Sequence, residues 1–253
     1  MTERDAPARR FFVPADRVAG DRVNFAREQA RHIATVLRLR PGDRVVAFDG
    51  SGVDRVVELL TVTPAQVTGR VVEVRTGRTP PLTVVLVQGV PRGAKMDAVV
   101  RAGTELGVAE FIPLLAARAV PRAEGRVDRW RRIAREAAQQ CRRSDVPAVH
   151  PPMSLAAALA RIASCDLRLV LWEGETRRTL ADALRDASPR RVALVVGPEG
   201  GLTAAEVEEA RAQGALTVTL GPLILRTETA GLAAVAMLLY ELVLRRSAVP
   251  PGP

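Results

Sequence analysis

Short apolar stretches alternate with turn signals in the first third of the chain. Residues 45–48, 53–60 and 67–74 are rich in valine and leucine, and Pro, Gly and Asp punctuate the gaps between them. Evenly spaced short strands with such turns predict a small β-barrel over residues 11–75. Residues 28–39 instead repeat their apolar positions every three or four residues, which predicts a helix.

Beyond residue 81 the pattern changes to alternating strand and helix signals. Aliphatic runs are each followed by a segment of helical periodicity, and this alternation predicts a mostly parallel sheet covered by helices. The predicted strands are residues 82–88, 111–115, 167–172, 191–196 and 216–220, and the predicted helices are residues 94–106, 126–141, 179–185, 203–213 and 229–244.

The longest apolar run, residues 230–239, is shorter than the roughly 18 residues that a membrane span needs, so we predict a buried helix there. The first ten residues are polar and charged, which argues against a signal peptide. The two cysteines and two histidines lack metal-ligand spacing. These features predict a cytoplasmic protein with no membrane segment and no metal.

The chain carries 37 basic against 28 acidic side chains, a formal net charge of +9. Such an excess favours a polyanionic partner, most often nucleic acid. Residues 118–143 hold nine arginines against three acids, and the predicted helix at 126–141 has an apolar stripe with most of its arginines off it. This helix suits either contact with phosphates or an ordinary solvated face, and taken alone it favours neither.

Two loops near the end of the chain carry the strongest site signal. The predicted strand at 191–196 runs into GPEGG (residues 197–201), and the strand at 216–220 runs into GPLILRTETA (residues 221–230). The first loop matches neither the Walker phosphate-binding motif nor the dinucleotide fingerprint. One such loop fits a plain strand-to-helix turn. Two in succession predict a cradle of backbone N–H and C=O groups for a small polar cofactor.

These loops resemble the signature of the ribosomal RNA small subunit methyltransferase E family, and the resemblance covers nearly the whole chain. The order and spacing of the motifs together make it specific. The other matching segments are residues 10–12, 32–38, 48–50, 95–96, 105–108, 113, 139–143 and 147. Two positions depart from the family pattern, because Leu223 stands where the family often has Arg and Gln139 where it often has Glu. We assign no catalytic role to either.

The resemblance implies an α/β fold in which a small PUA-like β-barrel domain precedes a SPOUT-type domain with a C-terminal trefoil knot. On this division residues 1–76 form the RNA-binding barrel, 77–81 a linker, 82–247 the methyltransferase domain and 248–253 a flexible tail. Family members work as cytoplasmic homodimers with their sites at the subunit interface. The apolar helix at 230–244 suits such an interface, and it equally suits the core of a monomer.

The implied activity is S-adenosylmethionine-dependent methylation of N3 of a specific uridine in 16S ribosomal RNA, as free RNA or in the assembled small subunit. Because N3 carries a proton, the reaction needs a base or a cation that stabilises the uridine anion. We assign the cation to Arg226 and name Glu228 as a candidate base, although an acid in the first turn also stabilises a helix end. The implied cofactor-binding residues are Leu171, Trp172, Glu173, Gly197, Pro198, Glu199, Gly200, Gly201, Leu220, Gly221, Ile224, Leu225, Arg226 and Thr227.

Basic residues in or near the matching segments are the predicted RNA contacts. Each of them is alternatively a solvated surface charge. The predicted set is Arg10, Arg38, Lys95, Arg101, Arg142 and Arg143.

Two other functions also fit the sequence. One is a non-catalytic ribosome-assembly protein that binds RNA and keeps the knot as a scaffold, and the intact Gly-rich loops argue against it. The other is a SPOUT enzyme that methylates a ribose 2′-hydroxyl. The target nucleotide, the choice between free RNA and the assembled subunit, and the proton acceptor stay open at this point.

Overall fold

The computed structural model describes residues 9–118 and 125–245, so the predicted tail at 248–253 lies outside the described residues. The described chain divides into two units. The first contains the chain up to Thr79 together with Ala138–Val146, and the remaining residues form the second.

The segment Ala138–Val146 packs with the first unit, although the sequence division places it in the methyltransferase domain. Ser144 holds it there, because its hydroxyl donates to Asp54 Oδ1 at 2.6 Å and its backbone N–H donates to the Arg78 carbonyl at 2.8 Å. A Cβ on Gly77 would overlap the Ser144 side chain, so only glycine permits this approach.

The first unit is built on a six-stranded sheet. Its strands are β1 (Arg10–Phe12), β2 (Val18–Ala19), β3 (Arg22–Asn24), β4 (Arg44–Phe48), β5 (Val53–Val62) and β6 (Val67–Thr76). They lie in the order β1-β4-β5-β6-β3-β2, with β1 and β4 parallel and the other neighbours antiparallel. The register of β5 against β6 shifts twice, and such bulges curl a sheet. The three strands predicted from the apolar stretches are confirmed as β4, β5 and β6.

The predicted helix at 28–39 is present as α1 (Arg27–Arg31), which continues as a π-helical turn over His32–Val36. Ala30 and Ile33 are fully buried on its inner face. They belong to the same apolar cluster as Phe11 of β1 and form the core of the first unit.

The second unit contains a parallel sheet. Its strands are β7 (Thr83–Gly89), β8 (Val108–Leu114), β9 (Ala148–Val149), β10 (Leu167–Leu171), β11 (Arg191–Val196) and β12 (Leu216–Val218). They lie in the order β12-β10-β11-β7-β8-β9, and every neighbouring pair is parallel, as predicted. The central strands β7 and β11 are buried almost throughout, as expected for unbroken aliphatic runs.

Six helices accompany this sheet in the described part of the chain. They are α2 (Lys95–Leu106), α3 (Val127–Gln140), α4 (Leu155–Arg161), α5 (Leu180–Leu184), α6 (Ala204–Ala212) and α7 (Thr227–Leu239). α6 begins with a capping box, in which the Thr203 hydroxyl and the Glu206 carboxylate each accept a backbone N–H of the other residue. α4 is absent from the predicted set, and the other five agree with it.

Helix α7 continues as a π-helical turn to Leu244, and Thr227–Leu244 has the length and apolarity of a membrane span, with a mean hydropathy of 1.5. One face of α7 packs on β7, β11 and α2, where Ala234, Val235 and Leu238 are fully buried. The predicted burial therefore holds for one face only. Met237 and Tyr240 are exposed on the rest of the helix.

Candidate active site

A cavity of about 900 Å³ lies within the second unit, where strands β10, β11 and β12 end. Ligands of open parallel sheets bind at this carboxyl edge, and the volume is typical of small-molecule sites. All the cofactor-binding residues predicted from sequence line it, from Leu171 of β10 to Thr227 of α7. The two Gly-Pro loops begin 102 and 126 residues after Lys95 in the sequence, and they share this wall with Lys95.

Glycines let the backbone around the cavity approach closely. Gly201 has a φ of +69°, and a Cβ on it would overlap the Glu173 carboxylate. A Cβ on Gly197 would lie 2.9 Å from the Leu202 nitrogen. The first Gly-rich loop is therefore folded tightly on itself, and its shape depends on the absence of side chains.

The end of strand β7 packs against the first Gly-rich loop, and the sequence analysis did not predict this contact. The buried Gln88 carboxamide donates to Thr227 Oγ1 at 2.8 Å, and that hydroxyl donates to the Gly197 carbonyl at 2.5 Å. A Cβ on Gly89 would overlap the backbone at Gly197 and Pro198. The one available signal was a polar Gln-Gly pair at the end of an otherwise aliphatic strand.

Lys95 joins the first Gly-rich loop to helix α7. Its ammonium lies 3.2 Å from Glu199 Oε1 and 3.3 Å from Glu228 Oε1. Hydrogen bonds to these two carboxylates raise the pKa of Lys95. Partial burial alone would raise the pKa of Glu199, but the Arg92 backbone N–H and the Lys95 ammonium outweigh it, so this pKa is lowered. The structure thus places Lys95 in the cavity wall, engaged with two acids.

Arg226 and Glu228 stand at the start of α7. Arg226 is the N-cap residue, its side chain is exposed at the cavity, and it forms no ion pair with residues 9–118 or 125–245. Glu228 lies in the first turn with Oε1 against Lys95. Its Oε2 is buried and has no hydrogen-bond partner in the described part of the chain. The Arg226 cation is therefore available at the cavity, whereas Glu228 is not among the residues that line it.

Two comparisons with known proteins bear on this geometry. The model of the RNA methyltransferase domain matches residues 78–239, and that of the RNA methyltransferase PUA domain matches residues 25–72. The Ribosomal RNA small subunit methyltransferase E of Bacillus subtilis is 36% identical over 230 residues, which cover 87% of this chain and 90% of that protein. The chain belongs to the ribosomal RNA small subunit methyltransferase E family.

Other members of this family agree in sequence and in structure. The enzyme of the same name from Mycobacterium tuberculosis is 36% identical over 221 residues, which cover 83% of this chain and 82% of that protein. The crystal structure of the Ribosomal RNA small subunit methyltransferase E from Neisseria gonorrhoeae, bound to S-adenosyl methionine, superimposes with a TM-score of 0.81 at 32% identity. The match covers 92% of this chain and 97% of that one.

Arg10 and Arg143, two predicted RNA contacts, have buried side chains in this member of the family. The Arg10 guanidinium forms a bidentate pair with Asp54, at 2.7 and 2.8 Å, and its side chain is 9% exposed. Arg143 pairs with Asp145 at 2.5 Å, and its side chain is 6% exposed. Buried guanidinium groups paired in this way are unavailable to phosphates, so we withdraw both residues from the RNA-contact set.

The other predicted RNA contacts are placed differently. Arg38 and Arg142 are exposed in the first unit, and Arg101 is exposed on α2 in the second. On the basic helix α3, Arg129 pairs with Asp97 at 2.7 Å and Arg131 with Asp128 at 3.2 Å. Part of the arginine-rich face of α3 is thus occupied by local ion pairs, which favours the solvated-face interpretation for these two arginines.

Glu175 is the most strongly perturbed acid of the cavity wall. The Thr217 hydroxyl donates to its Oε2 at 2.5 Å, the backbone N–H groups of Arg177 and Arg178 donate to its Oε1, and Arg211 lies 3.7 Å away. The Thr217 hydrogen bond is the largest of these effects, and together they lower the pKa of Glu175 to about 2. The carboxylate is therefore ionised at any physiological pH.

This depressed pKa predicts a defined acid dependence of stability. The folded pKa lies below the ordinary value of 4.5, so ionised Glu175 contributes stability above that pH and loses it as the pH falls through about 2. The difference in Tm between the wild type and Glu175→Gln should be largest above about pH 5 and shrink steadily below about pH 4. Thermal unfolding of both proteins across this range measures it, and a constant difference would contradict the assignment.

No group of His, Cys, Asp and Glu suited to a metal ion occurs within residues 9–118 and 125–245. The two cysteines, Cys141 and Cys165, are both free.

Proposed function

We propose that this protein is an S-adenosylmethionine-dependent methyltransferase that methylates N3 of a specific uridine in 16S ribosomal RNA. The observation that carries the proposal is the joint placement of both Gly-Pro loops, Arg226 and Lys95 around one cavity in a chain of this family. The Neisseria gonorrhoeae relative, which is bound to S-adenosyl methionine, supports the cofactor.

The residues of the cavity fit this cofactor. Leu171 and Leu225 offer apolar surface for an adenine ring, and the backbone of residues 197–201 and 221–225, which line the cavity, offers hydrogen bonds to its edge. Glu173 and Glu175 supply carboxylates for the positive charge of a sulfonium or an ammonium group. When bound, S-adenosylmethionine supplies an electrophilic methyl group.

Arg226 and Glu228 take complementary roles toward uridine in this proposal. The Arg226 guanidinium, which has no ion-pair partner among the described residues, stabilises the negative charge that develops on the base when N3 loses its proton. Glu228, whose buried Oε2 has no hydrogen-bond partner in the described chain, is the candidate acceptor of that proton, and it lies outside the cavity lining. Lys95 orients Glu228 by holding Oε1. The cavity fixes the distance between nucleophile and methyl donor, which removes much of the entropic barrier.

We further propose that the chain around the cavity forms a trefoil knot. What supports it is the path of the chain after β12. The segment after β10 is hydrogen-bonded to the residue that follows β12, since Thr219 N donates to the Arg178 carbonyl and Leu180 N to the Thr219 carbonyl. The chain then returns across the sheet, and Thr227 bonds to Gly197 after β11 and to Gln88 on β7.

We also propose that the protein is a cytoplasmic homodimer. Leu223 and Ile224 are 78% and 87% exposed beside the cavity, and Met237, Tyr240 and Leu244 expose apolar surface along the last helix. Exposed apolar side chains of this size occur at protein interfaces. A second copy of this chain would cover these side chains.

The proposed substrate is 16S ribosomal RNA, either free or in the assembled small subunit.

Calorimetric titration with S-adenosylmethionine separates this enzyme from a non-catalytic RNA-binding scaffold. We expect saturable binding with a Kd in the micromolar range, which corresponds to about −8 kcal/mol. The matched control is Gly89→Ala, in which the added methyl group displaces the loop at Pro198. Absence of binding heat in the wild-type protein would favour the scaffold.

A further inference from the structure

Two arginines occupy backbone positions that normally require glycine. Arg38 has a φ of 52° and Arg142 a φ of 65°, and they are the only non-glycine residues with positive φ in the described part of the chain. Each stands two residues beyond a helical segment, one ending at Val36 and the other at Gln140. A left-handed residue just past a helix end is usually glycine, because a Cβ is disfavoured there.

The second unit closes comparable helix ends with glycine. α2 ends at Gly107, with a φ of 98°, and α6 is followed by Gly214, with a φ of 80°. In one end of each kind, the residue after the left-handed position donates a backbone hydrogen bond into the preceding helix, reaching back six residues after Arg38 and five after Gly214. Leu39 N donates to the Ile33 carbonyl at 3.1 Å after Arg38, and Ala215 N donates to the Ala210 carbonyl at 3.1 Å after Gly214. Closing the helix therefore needs no arginine side chain.

What the arginines add is an exposed guanidinium group at each position. Both side chains are exposed, and neither forms an ion pair with residues 9–118 or 125–245. Both positions belong to the first unit. The residue next to each of them, Leu37 beside Arg38 and Arg143 beside Arg142, accepts a hydrogen bond from one of two consecutive arginines, Arg9 and Arg10. Arg9 lies 3.5 Å from the Leu37 carbonyl, and Arg10 lies 3.5 Å from the Arg143 carbonyl.

We propose that Arg38 and Arg142 bind phosphate groups of the RNA substrate, and that their left-handed backbone is kept at a cost in stability for this contact. The inference rests on the proposed function, because RNA is the polyanion that this family modifies. Strained backbone persists where the surrounding structure and the function maintain it. The unit that carries both arginines contains the match to the RNA methyltransferase PUA domain.

Glycine and alanine variants at both positions separate stability from binding. Arg38→Gly and Arg142→Gly remove the guanidinium and relieve the backbone, whereas Arg38→Ala and Arg142→Ala remove the guanidinium alone. We expect each glycine variant to unfold about 2–4 °C above the alanine variant at the same position. Gly214→Arg, which places an arginine at a glycine helix end, is expected to lower the Tm by a similar amount.

RNA affinity is measured with in-vitro transcribed 16S ribosomal RNA at several salt concentrations. All four variants should bind it about 5–10-fold more weakly at 0.15 M salt, with the slope of log K against log[salt] reduced by about one for each arginine removed. Affinity for S-adenosylmethionine should not change. Arg44→Ala is the control, because Arg44 lies in β4 and pairs with Glu58 at 3.6 Å, and its effect on RNA affinity should be smaller.

Two results would overturn the inference: unchanged RNA affinity in the glycine variants, or glycine variants less stable than the alanine variants. Failure of the proposed function looks different. The wild-type protein would then transfer no methyl group to RNA, whereas the binding and stability differences among the variants would still be measurable.

Discussion

Arg226→Ala is expected to slow methyl transfer about 10²–10³-fold while leaving the fold intact. The guanidinium is exposed at the cavity and lacks an ion-pair partner among the described residues, so its removal leaves no buried acidic group without a partner. The N-cap position also tolerates the change, since the Arg226 side chain makes no capping hydrogen bond. The measurement is kcat on unmodified 16S ribosomal RNA, together with Tm and cofactor affinity.

Arg185→Ala is the matched control for Arg226→Ala. Arg185 is an exposed arginine that pairs with Asp182 at 2.8 Å, and it is not among the residues that line the cavity. Its kcat should equal that of the wild type. If Arg226→Ala retained full activity, the guanidinium would not stabilise the reacting base. If Arg226→Ala instead lowered the Tm markedly, Arg226 would have a structural role.

Gly89→Ala is expected to weaken S-adenosylmethionine binding by about 100-fold or more. The new methyl group would overlap the backbone at Gly197 and Pro198, and two strands in a packed sheet have little room to separate. The loop at residues 197–201 must therefore move, and the cavity wall moves with it. Calorimetry on the folded variant, checked by far-UV circular dichroism, measures the loss.

Gly93→Ala controls for the general cost of changing a glycine near this strand. Gly93 has a φ of +71°, but a Cβ there meets no atom within 4 Å. It should therefore lower the Tm through backbone strain while cofactor affinity stays within a few-fold of wild type. Equal affinity losses in Gly89→Ala and Gly93→Ala would contradict the contact with the loop.

Sequence predicted the parallel sheet and the cavity loops because their signals are local. Aliphatic runs that break at Gly-Pro mark both strand ends, and Thr203 with Glu206 marks the start of α6. The same motifs carried the resemblance to the family. Helix α4 was missed because its segment is only 7 residues long, although Ser154 supplies an N-cap for it.

The contacts that sequence could not predict join residues far apart in the chain. Gln88 bonds to Thr227, Lys95 to Glu199, and Arg10 to Asp54. No local pattern pairs such residues, so the support behind the loop and the burial of Arg10 appear only in the structure. The assignment of Ala138–Val146 to the first unit has the same cause, because Ser144 is fixed by Asp54 and Arg78.

The most direct test is methyl transfer in vitro with identification of the product. The purified protein is incubated with methyl-labelled S-adenosylmethionine and with 16S ribosomal RNA from a strain that lacks this gene, as free RNA and in assembled small subunits. The RNA is then digested and its nucleosides are resolved by mass spectrometry. We expect label in 3-methyluridine from at least one substrate, and loss of that label with Arg226→Ala. Label in a 2′-O-methylated nucleoside, or in none, would contradict the proposed uridine-N3 methylation.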